Sequence, residues 1–575
     1  MKAENLFKPD HLLEVQVTMS QKDWEELRSQ SDRGNSGMAF MFGGEIPKDR
    51  FTQFKADVKI DGTQIKEVGI RTKGFIGSLN PDRPSLKIKF DEYVDQSPIE
   101  GLDRLTLNNN VQDESLASQY LTYKLFNKAG IPAPRVSFAK VTVNDEFLGI
   151  YSNVESVRSP FLKDHYGDDS GEFYEGTIAD FYPIAVERIE AKNKRTEKDK
   201  SQAIRLAQLL ATQEGFDLEE VEKLVNVKKF IRFWAMENLT GFWDGYSNNQ
   251  NNYFAYSNPN DNDRFHFMPW GADGAFTDLR GPFGRFGNGN EAPKSIFSQG
   301  MLNNRLYHAE GIPARYKAVM EDLLKNIWRE PEIIAELSRI QKMTQNHLHE
   351  NQNRIEDGVQ KVTEFVKTRR SEIAMELREW PVSINEPRIP LHTVEVGKMA
   401  GTFTTIWKSK RMENVSDQGK VDINLILNGE EVTFIRIGMI AQPEEPPRNF
   451  RFGGGGRRGP REPQSTLTFQ GVRKSDGHFV NIILTIANDA FAKSNDKGVT
   501  FTGMLVTVNP DQDNRENFTF GGMPKSLRGK LILNEASRTN NNPVSGTMDL
   551  VIQESKGGMF GGRRGGGRGR GRGRF

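Results

Sequence analysis

Two neighbouring segments decide the fold class: "FWDGYSNNQNNYFAY" at residues 242–256 and "RFHFMPWGADGAF" at residues 264–276. The first places an Asp after a Trp and follows it with a run of Asn, and the second follows an apolar strand with another Asp. Carboxylate and carboxamide oxygens are ligands that Mg²⁺ accepts, and a carboxylate also orients a hydroxyl nucleophile. The two segments therefore belong either to a catalytic site or to a polar loop.

The order of these residues is that of a phosphotransferase catalytic segment. Asp244 follows a predicted helix, Asn249 lies five positions later, and Asp273 comes after a predicted β-hairpin. In such a segment the first Asp positions the hydroxyl, and the Asn and the second Asp bind metal. No His-Arg pair precedes the first Asp, and "GADG" replaces Asp-Phe-Gly. Spacing alone therefore leaves the alternative that Asp244 caps a helix and the Asn residues fill turns.

Length and composition limit the class of protein. The 575 residues are too many for one compact core, so two or three domains are expected. The 78 Lys and Arg residues nearly balance the 77 Asp and Glu residues, which excludes a global field that favours nucleic acid or membrane. There is no Cys, so disulfides, thiol catalysis and Cys-ligated zinc are excluded, and the eight His show no HExxH spacing.

The sequence gives no sign of a membrane anchor. No apolar run approaches the roughly 18 residues that a membrane span requires, so no transmembrane segment is predicted. The N-terminal stretch "MKAENLFKPDHLLEVQV" lacks the apolar core of a signal peptide. We therefore expect either a cytoplasmic protein or an exported or cell-surface protein whose leader has been trimmed.

Residues 1–160 have the pattern of a small strand-rich lobe. Short runs such as "FKADVKID", "IKEVGIRTKG" and "SLKIKF" predict half-buried strands. The stretch "DESLASQYLTYKLFNKAG" predicts a helix with an acidic cap at Asp113 and an end at Gly130. The stretch "VSFAKVTVNDEFLGIYSNVES" predicts two further strands around an Asn-Asp turn.

The rest of the chain divides into three parts. Apolar residues recur at three- and four-residue intervals over residues 161–390, which predicts a helical lobe containing the catalytic segment. Residues 395–555 return to short β-rich runs and predict an all-β, sandwich-like domain. The Gly/Arg-rich insert at 449–463 and the tail at 556–575 are expected to be disordered. A strand-rich lobe joined to a helical lobe predicts an α+β, two-lobed kinase-like fold.

In such a fold the strand-rich lobe binds the nucleotide, and four basic residues are candidates for its phosphates. Strand alternation puts Arg71 and Lys73 on one face, and Lys87 and Lys89 share a face two strands along. Their charged groups suit phosphates, and the Gly-containing loop between the strands allows close approach. Lys87 or Lys73 is the favoured contact, and the alternative is that these residues only form a solvated strand face.

Four stretches together resemble the CotH kinase family, named for spore coat protein H: "KGFIGSLNPDRPSLKIKFDEY", "GLDRLTLNNNVQDESLASQYLTYKLFNKAGIPAPRVSFAKVTVNDEFLGIYSNVESV", "FWDGYSNNQNNYFAY" and "FHFMPWGADGAF". The resemblance runs from about residue 10 to about residue 380 and keeps the order of the motifs. It implies an atypical protein kinase that uses ATP and Mg²⁺, or Mn²⁺, to phosphorylate Ser or Thr of protein substrates.

The resemblance also implies roles for single residues. Asp244 matches the family's catalytic Asp, Asn249 its metal-side Asn, and Asp273 the metal-binding Asp of a "PWxxD" segment. Glu155 falls in a "GxYxxxE" strand, near the expected position of the adenine. Asp113 matches an acidic position that either pairs with a strand Lys or caps the helix.

One departure from the family pattern leaves two functional classes open. Gly271 stands where the family often has the first Asp of "PWDxD", which removes a second metal ligand. The presence of Asp244, Asn249 and Asp273 favours an active phosphotransferase. The alternative is a kinase-derived surface or scaffold protein, weakly active or inactive, that binds partners through its β-domain and basic tail.

The C-terminal tail is a candidate for binding acidic partners. Its last twenty residues contain one Lys, six Arg and no acidic residue. Such Arg/Gly segments bind RNA, acidic polymers or acidic protein surfaces through weakly specific electrostatics. The alternative is a solvated, flexible tail.

Overall fold

The structure is a computed structural model that describes residues 1–30, 51–75, 77–212, 216–277, 293–412, 415–444, 464–491, 498–509 and 524–557. The described residues up to Pro390 form one compact unit, and those from Leu391 to Gly557 form a second. The predicted Gly/Arg-rich insert and nearly all of the predicted tail lie outside the described residues.

Seven described strands at the start of the first unit close into a barrel in the order β1-β2-β3-β4-β5-β7-β6. Closure comes from a parallel pairing of β1 with β6, whereas the other neighbours pair antiparallel. Alternate apolar residues such as Val15 and Val58 fill the interior. The strands are β1 (Leu12–Met19), β2 (Phe54–Ile60), β3 (Thr63–Lys73), β4 (Ser85–Lys89), β5 (Arg104–Asn108), β6 (Val136–Val143) and β7 (Glu146–Val154).

The strand predictions for this region are confirmed, including the hairpin of β6 and β7. Asn144 and Asp145 form its turn with φ values of 47° and 67°, the left-handed geometry that suits a two-residue hairpin. Two helices precede the second strand: α1 (Ala3–Leu6) and α2 (Gln21–Ser29).

Helix α3 (Ser118–Lys128) begins five residues after Asp113, not at it. The Asp113 carboxylate accepts hydrogen bonds from the Ser118 amide at 2.7 Å and from the Ser115 hydroxyl at 2.6 Å. It thus caps the helix across a turn, which is one of the two roles expected for it. Although α3 lies between barrel strands in the sequence, Tyr123 and Phe126 are buried in the core of the helical lobe.

The helical lobe is built around α8, whose apolar side chains are buried on nearly every side. The helical pattern predicted for residues 161–390 is confirmed, and its longest helices are α11, α12 and α13. The described helices of this lobe are α4 (Ser159–Tyr166), α5 (Lys194–Lys198), α6 (Ser201–Ala211), α7 (Leu218–Leu224), α8 (Val227–Leu239), α9 (Tyr246–Asn249), α10 (Met301–Tyr307), α11 (Ile312–Asn326), α12 (Glu330–Thr344) and α13 (Ile355–Arg378).

A small sheet of four described strands, in the order β11-β10-β8-β9, lies in the same lobe. Its strands are β8 (Phe173–Gly176), β9 (Glu190–Ala191), β10 (Tyr253–Asn258) and β11 (Arg264–Pro269). The hairpin of β10 and β11 was predicted, whereas β8 and β9 are too short to give a strand pattern in the sequence.

The second unit confirms the predicted all-β domain. Its described strands form one antiparallel sheet in the order β14-β13-β12-β20-β19-β18-β17-β16-β15. Instead of two separate layers, the sheet curls until Ala441 of β15 bridges to Trp407, just after β12. The elements are β12 (His392–Ile406), β13 (Lys420–Leu427), β14 (Glu430–Glu431), β15 (Phe434–Pro443), β16 (Gln464–Arg473), β17 (Phe479–Ala487), α14 (Asn488–Phe491), β18 (Thr502–Val508), β19 (Lys525–Glu535) and β20 (Pro543–Lys556).

Candidate active site

The β10–β11 hairpin brings the two predicted Asp residues together. Asp244 lies in the turn between α8 and α9, just before the hairpin. Tyr253 pairs with Pro269 at the hairpin base, and the Trp270 amide donates to the Asn252 carbonyl at 2.9 Å. The chain therefore returns to its starting point, and Asp273 follows in a short helical turn beside the Asp244 segment.

A buried glutamate holds the Asp244 turn in place. Glu237, on α8, has no exposed surface and accepts hydrogen bonds from the Tyr246 amide at 2.8 Å and the Ser247 amide at 2.9 Å. A Cβ at Gly245 would lie 2.2 Å from the Glu237 carboxylate, so this contact requires glycine. Burial raises the pKa of Glu237 to about 8. The sequence signal for this missed residue is a carboxylate on an apolar helix face.

Three described carboxamides hold the Asp244 carboxylate. Its Oδ1 accepts from Asn249 at 2.5 Å and from Asn251 at 3.0 Å, and its Oδ2 accepts from Asn252 at 2.8 Å. Burial raises the pKa of Asp244 to about 6; the amide hydrogen bonds oppose this rise, and the nearby charge of Asp273 adds to it. The two carboxylates are thus electrostatically coupled.

The Asn249 carboxamide lies between two partners of opposite charge. Its nitrogen donates to Asp244, and its oxygen accepts from Arg388 Nη1 at 2.9 Å. Arg388 comes from the segment that follows α13, far away in the sequence, and no local pattern marked it.

Asp273 faces the barrel. Its Oδ2 accepts a long hydrogen bond of 3.4 Å from Asn108 at the end of β5. Burial raises its pKa, and the positive charge of Lys73 opposes this. Burial in turn lowers the pKa of Lys73, and the negative charges of Asp273 and Glu175 oppose this by raising it. The structure therefore brings two predicted residues, Lys73 and Asp273, to one place.

The other predicted cations line the same face of the barrel. Arg71 on β3 pairs in register with Lys87 on β4, and Lys87 pairs with Thr106 on β5. Burial holds the pKa of Lys87 well below its usual value, and the neighbouring charges of Arg104, Arg71 and Arg158 lower it further. Such crowding of half-buried cations is costly without an anion, so this recess suits a polyanionic ligand.

Glu175, on β8, is the main described carboxylate of this recess. Its Oε2 lies 2.5 Å from Lys192 Nζ. Burial favours its neutral form, but Lys192 and Lys87 outweigh burial and lower its pKa. Sequence reasoning missed Glu175 and Lys192, because the short strand β8 and the residue just after β9 carry no motif.

A cavity of about 340 Å³ opens beside the cationic recess. Its charged lining holds three cations, Arg104, Arg158 and Lys192, and two carboxylates, Asp103 and Asp169. Pro160, Leu162 and Phe173 supply an apolar wall. The apolar wall suits a flat ring system, and the excess of cations over carboxylates in the charged lining suits an anionic chain attached to it.

A family model described as CotH kinase protein matches residues 70–373, more than half of the chain. The chain belongs to the CotH kinase protein family. The match contains Arg71, Lys73, Lys87 and both Asp residues, and it ends before Arg388.

Curated CotH relatives are distant. The inner spore coat protein H of Bacillus subtilis is 25% identical over 258 residues, covering 42% of this chain and 68% of the relative. Spore coat protein homolog 1 of Rhizopus delemar is 24% identical over 241 residues, 39% of each chain, and invasin CotH3 of the same organism is 34% identical over 93 residues, 16% of each. The chain thus spans well under half the length of these two Rhizopus relatives.

A solved structure, the Helicobacter pylori proinflammatory kinase CtkA, matches with a TM-score of 0.27 and 12% identity, over 54% of this chain and 95% of that one.

Among the described residues of this CotH protein, no helix has the length and apolar content to cross a bilayer.

The departure at Gly271 has a local structural counterpart. Gly271 has a φ of 53°, and a Cβ there would meet the Asn252 side-chain oxygen at 2.6 Å. Asn252 thus fills the space beside Gly271 and donates to Asp244 from there. In this CotH protein a carboxamide stands next to the position where the family often has an Asp.

Glu155 has an ion-pair partner of its own, Arg135. It is buried at the end of the barrel strands, and both of its oxygens accept hydrogen bonds from Arg135, at 2.6 Å and 3.0 Å. This ion pair fixes the connection that leads from the barrel into α4. A contact between Glu155 and adenine stays a prediction.

The residues around Asp244 and Asp273 fit a divalent cation. Each carboxylate has a raised pKa, and each would be relieved of its neighbour's charge by a bound metal. Within the described chain, no cluster of three or more His, Asp or Glu is arranged as a metal site. Mg²⁺ commonly takes only one or two protein carboxylates and completes its shell with phosphates and water, so this donor set suits a metal that arrives with a nucleotide.

Proposed function

We propose that this CotH protein is a kinase that transfers the terminal phosphoryl group of ATP to Ser or Thr hydroxyls of protein substrates. The observation that carries the proposal is the meeting of Asp244 and Asp273 with Lys73, next to a recess of half-buried cations. A scaffold has no physical need for two half-buried, mutually repelling carboxylates beside Lys and Arg charges.

Asp244 is the proposed group that orients and deprotonates the acceptor hydroxyl. Its Oδ1 already accepts two amide hydrogens, whereas Oδ2 accepts one within the described chain. Each carboxylate oxygen has two lone-pair sites, so Oδ2 has one left for the acceptor hydroxyl. The hydroxyl oxygen forms a bond to the terminal phosphorus, the bond from that phosphorus to the ADP oxygen breaks, and the hydroxyl proton passes to Asp244.

The cationic recess is the proposed site of the ATP phosphates and base. Lys73, Arg71 and Lys87 face the anionic chain, and the cavity bounded by Phe173 and Arg158 takes the base. Asp273 would hold Mg²⁺ or Mn²⁺, whereas the side-chain oxygen of Asn249, the other predicted metal ligand, accepts from Arg388 instead. When bound, the metal neutralises phosphate charge.

The test is phosphoryl transfer from labelled ATP by the purified full chain, with Mg²⁺, to itself and to an acceptor protein. Asp244→Asn should keep ATP binding and lose transfer by about 10³-fold or more, since both orientation and proton acceptance are removed. Asp273→Asn should lose transfer and weaken binding of the metal–nucleotide complex. The exposed Asp95→Asn serves as the matched control and should leave transfer unchanged.

Acid-stable label on Ser or Thr identifies the acceptor class. A wild-type chain that binds ATP but shows no transfer, or an Asp244→Asn variant with full transfer, would contradict the proposal. Failure of ATP binding as well would favour the kinase-derived scaffold.

The acceptor and its location belong to the same proposal. The named relatives are two spore coat proteins and an invasin, so we place the acceptor among proteins of the coat or cell surface. Phosphorylation of a surface protein from the producing organism, lost in Asp244→Asn, would support this placement.

A further inference from the structure

The segment that leaves the helical lobe, residues 381–390, returns to the catalytic turn. It is fixed along its way: the Tyr307 hydroxyl donates to the Val382 carbonyl at 2.8 Å, and the Asn304 side chain donates to the Asn385 carbonyl at 2.8 Å. The Arg388 amide then donates to the Gln299 carbonyl at 2.9 Å. This segment lies outside the family match and brings an arginine to the site.

The Arg388 side chain binds the end of α9 through several hydrogen bonds. Its Nη1 donates to Asn249 Oδ1 at 2.9 Å, its Nη2 donates to the Asn249 carbonyl, and its Nε donates to Gln250 Oε1 at 3.1 Å. In return, Gln250 Nε2 donates to the Arg388 carbonyl at 2.6 Å. Burial lowers the pKa of Arg388 to about 10, at which it stays charged at neutral pH.

The chemistry of its two neighbours fixes the orientation of the Asn249 carboxamide. A guanidinium only donates, so the carboxamide oxygen must face Arg388. An ionised carboxylate only accepts, so the carboxamide nitrogen must face Asp244. A rotated carboxamide would lose both hydrogen bonds, which are charge-assisted and therefore strong.

We propose that Arg388 is a positioning residue: it fixes the Asn249 carboxamide as a donor to Asp244 and thereby orients the Asp244 oxygen that receives the acceptor hydroxyl. The catalytic part of this inference rests on the proposed function. The structural part, that Arg388 orders the catalytic turn through Asn249, does not.

Hydrogen exchange of the full chain without nucleotide tests the structural part. In Arg388→Gln, amides of residues 244–252 should exchange at least about tenfold faster, because a charge-assisted hydrogen bond is worth that factor or more. Arg370→Gln is the matched control: Arg370 bonds Glu330 and the Leu324 carbonyl within the helical lobe, and its loss should not change exchange at 244–252. Unchanged exchange at 244–252 in Arg388→Gln would overturn the proposal.

A double-mutant cycle tests the catalytic part. Arg388→Gln should lower kcat at least about tenfold and change KM for ATP by less than about threefold. In an Asn249→Ala background, Arg388→Gln should lower kcat by much less than tenfold, since the side chain through which it acts is gone and only its bonds to the residue 249 carbonyl and to Gln250 remain. Arg388→Lys keeps the charge without the planar fork and should restore only part of kcat.

The two tests fail in different ways. A full tenfold loss that persists in the Asn249→Ala background would show that Arg388 acts elsewhere and would overturn its positioning role. A wild-type chain without phosphotransfer would contradict the proposed function, and the exchange measurement would still decide whether Arg388 orders the turn.

Discussion

At the scale of single residues, the Asn run after Asp244 both forms a turn and donates hydrogen bonds to the Asp244 carboxylate. Asn252 adopts a φ of 49°, as residues of a tight turn do. Its side chain nevertheless reaches Asp244, together with those of Asn249 and Asn251. The two interpretations of the sequence are therefore compatible, because Asn suits left-handed backbone and donates a side-chain hydrogen bond at the same time.

Restoring the family's Asp at Gly271 should weaken this chain and not strengthen it. The new Cβ would sit 2.6 Å from the Asn252 oxygen, at a φ of 53°. We expect Gly271→Asp to lower the free energy of unfolding by about 2–4 kcal/mol, the sum of left-handed strain and overpacking. It should also reduce phosphotransfer, because Asn252 would be pushed from Asp244.

Thermal or denaturant unfolding measures the effect, and Gly62→Asp is its matched control. Gly62 has a φ of 83° with nothing within 4 Å of an added Cβ, so only the backbone strain applies there. Equal losses of unfolding free energy in the two variants would show that Asn252 moves aside without an energetic penalty. Full activity in Gly271→Asp would contradict the need for the Asn252 contact.

At the scale of elements, local pairings followed from the sequence and distant ones did not. The β10–β11 hairpin joins neighbours, so its strand pattern and spacing predicted the meeting of Asp244 and Asp273. Barrel closure depends on β1 pairing with β6, and the recess depends on Glu175 meeting Lys87. Those partners are far apart in the chain, and nothing in the pattern of either one specifies the other.

A partly exposed network of hydrogen bonds and ion pairs ties α3 to α12 and should make stability sensitive to acid. Glu336 accepts from the Tyr120 hydroxyl at 2.6 Å and from Arg339 at 2.7 Å, and lies 3.0 Å from Lys124. Burial by itself would raise the pKa of Glu336, but the hydrogen bonds from Arg339, Tyr120 and Lys124 lower it to about 2. This contribution to stability is full above the unfolded pKa near 4.5 and is lost as pH falls toward 2.

Glu336→Gln should therefore lower Tm by roughly 2 °C at pH 7 and flatten the fall of Tm between pH 4.5 and pH 3. Scanning calorimetry across that range checks this. Glu332→Gln is the control on the same helix, since Glu332 pairs with Lys128 of α3 in an exposed position. If Tm of the Glu336→Gln variant varied with pH as in the wild type, Glu336 would not contribute to the loss of stability in acid.

At the scale of the whole molecule, the described chain has separate cores for its two units. The candidate site, including Arg388, lies entirely before Leu391, and the second unit has a core of its own. The position of the second unit in the sequence was predictable from its β-rich runs. Its single curled sheet was not, because strand periodicity does not distinguish one sheet from two.

A fragment of residues 1–394 should keep ATP turnover, since it retains every candidate site residue. Turnover per molecule within about twofold of the full chain is expected. A folded but inactive fragment would show that the second unit is required for catalysis. The β-domain would then be part of the enzyme and not only a binding module.

Deletion from Gly557 provides the matched control and tests the predicted tail function. It should leave both ATP turnover and Tm almost unchanged, because so Gly-rich a segment buries little apolar area. Retention on an anionic resin should fall, and in the full chain it should weaken steeply with added salt. Unchanged retention would assign acidic binding to another part of the chain.

The position of α3 has a consequence for how this protein is made. The helix is synthesised between two barrel strands, yet Tyr123 and Phe126 belong to a core whose other helices emerge later from the ribosome. Until α8 and α12 have been translated, a nearly complete barrel carries an apolar helix that nothing yet covers. We therefore expect the nascent chain to need chaperones, and we expect neither lobe to fold without the other.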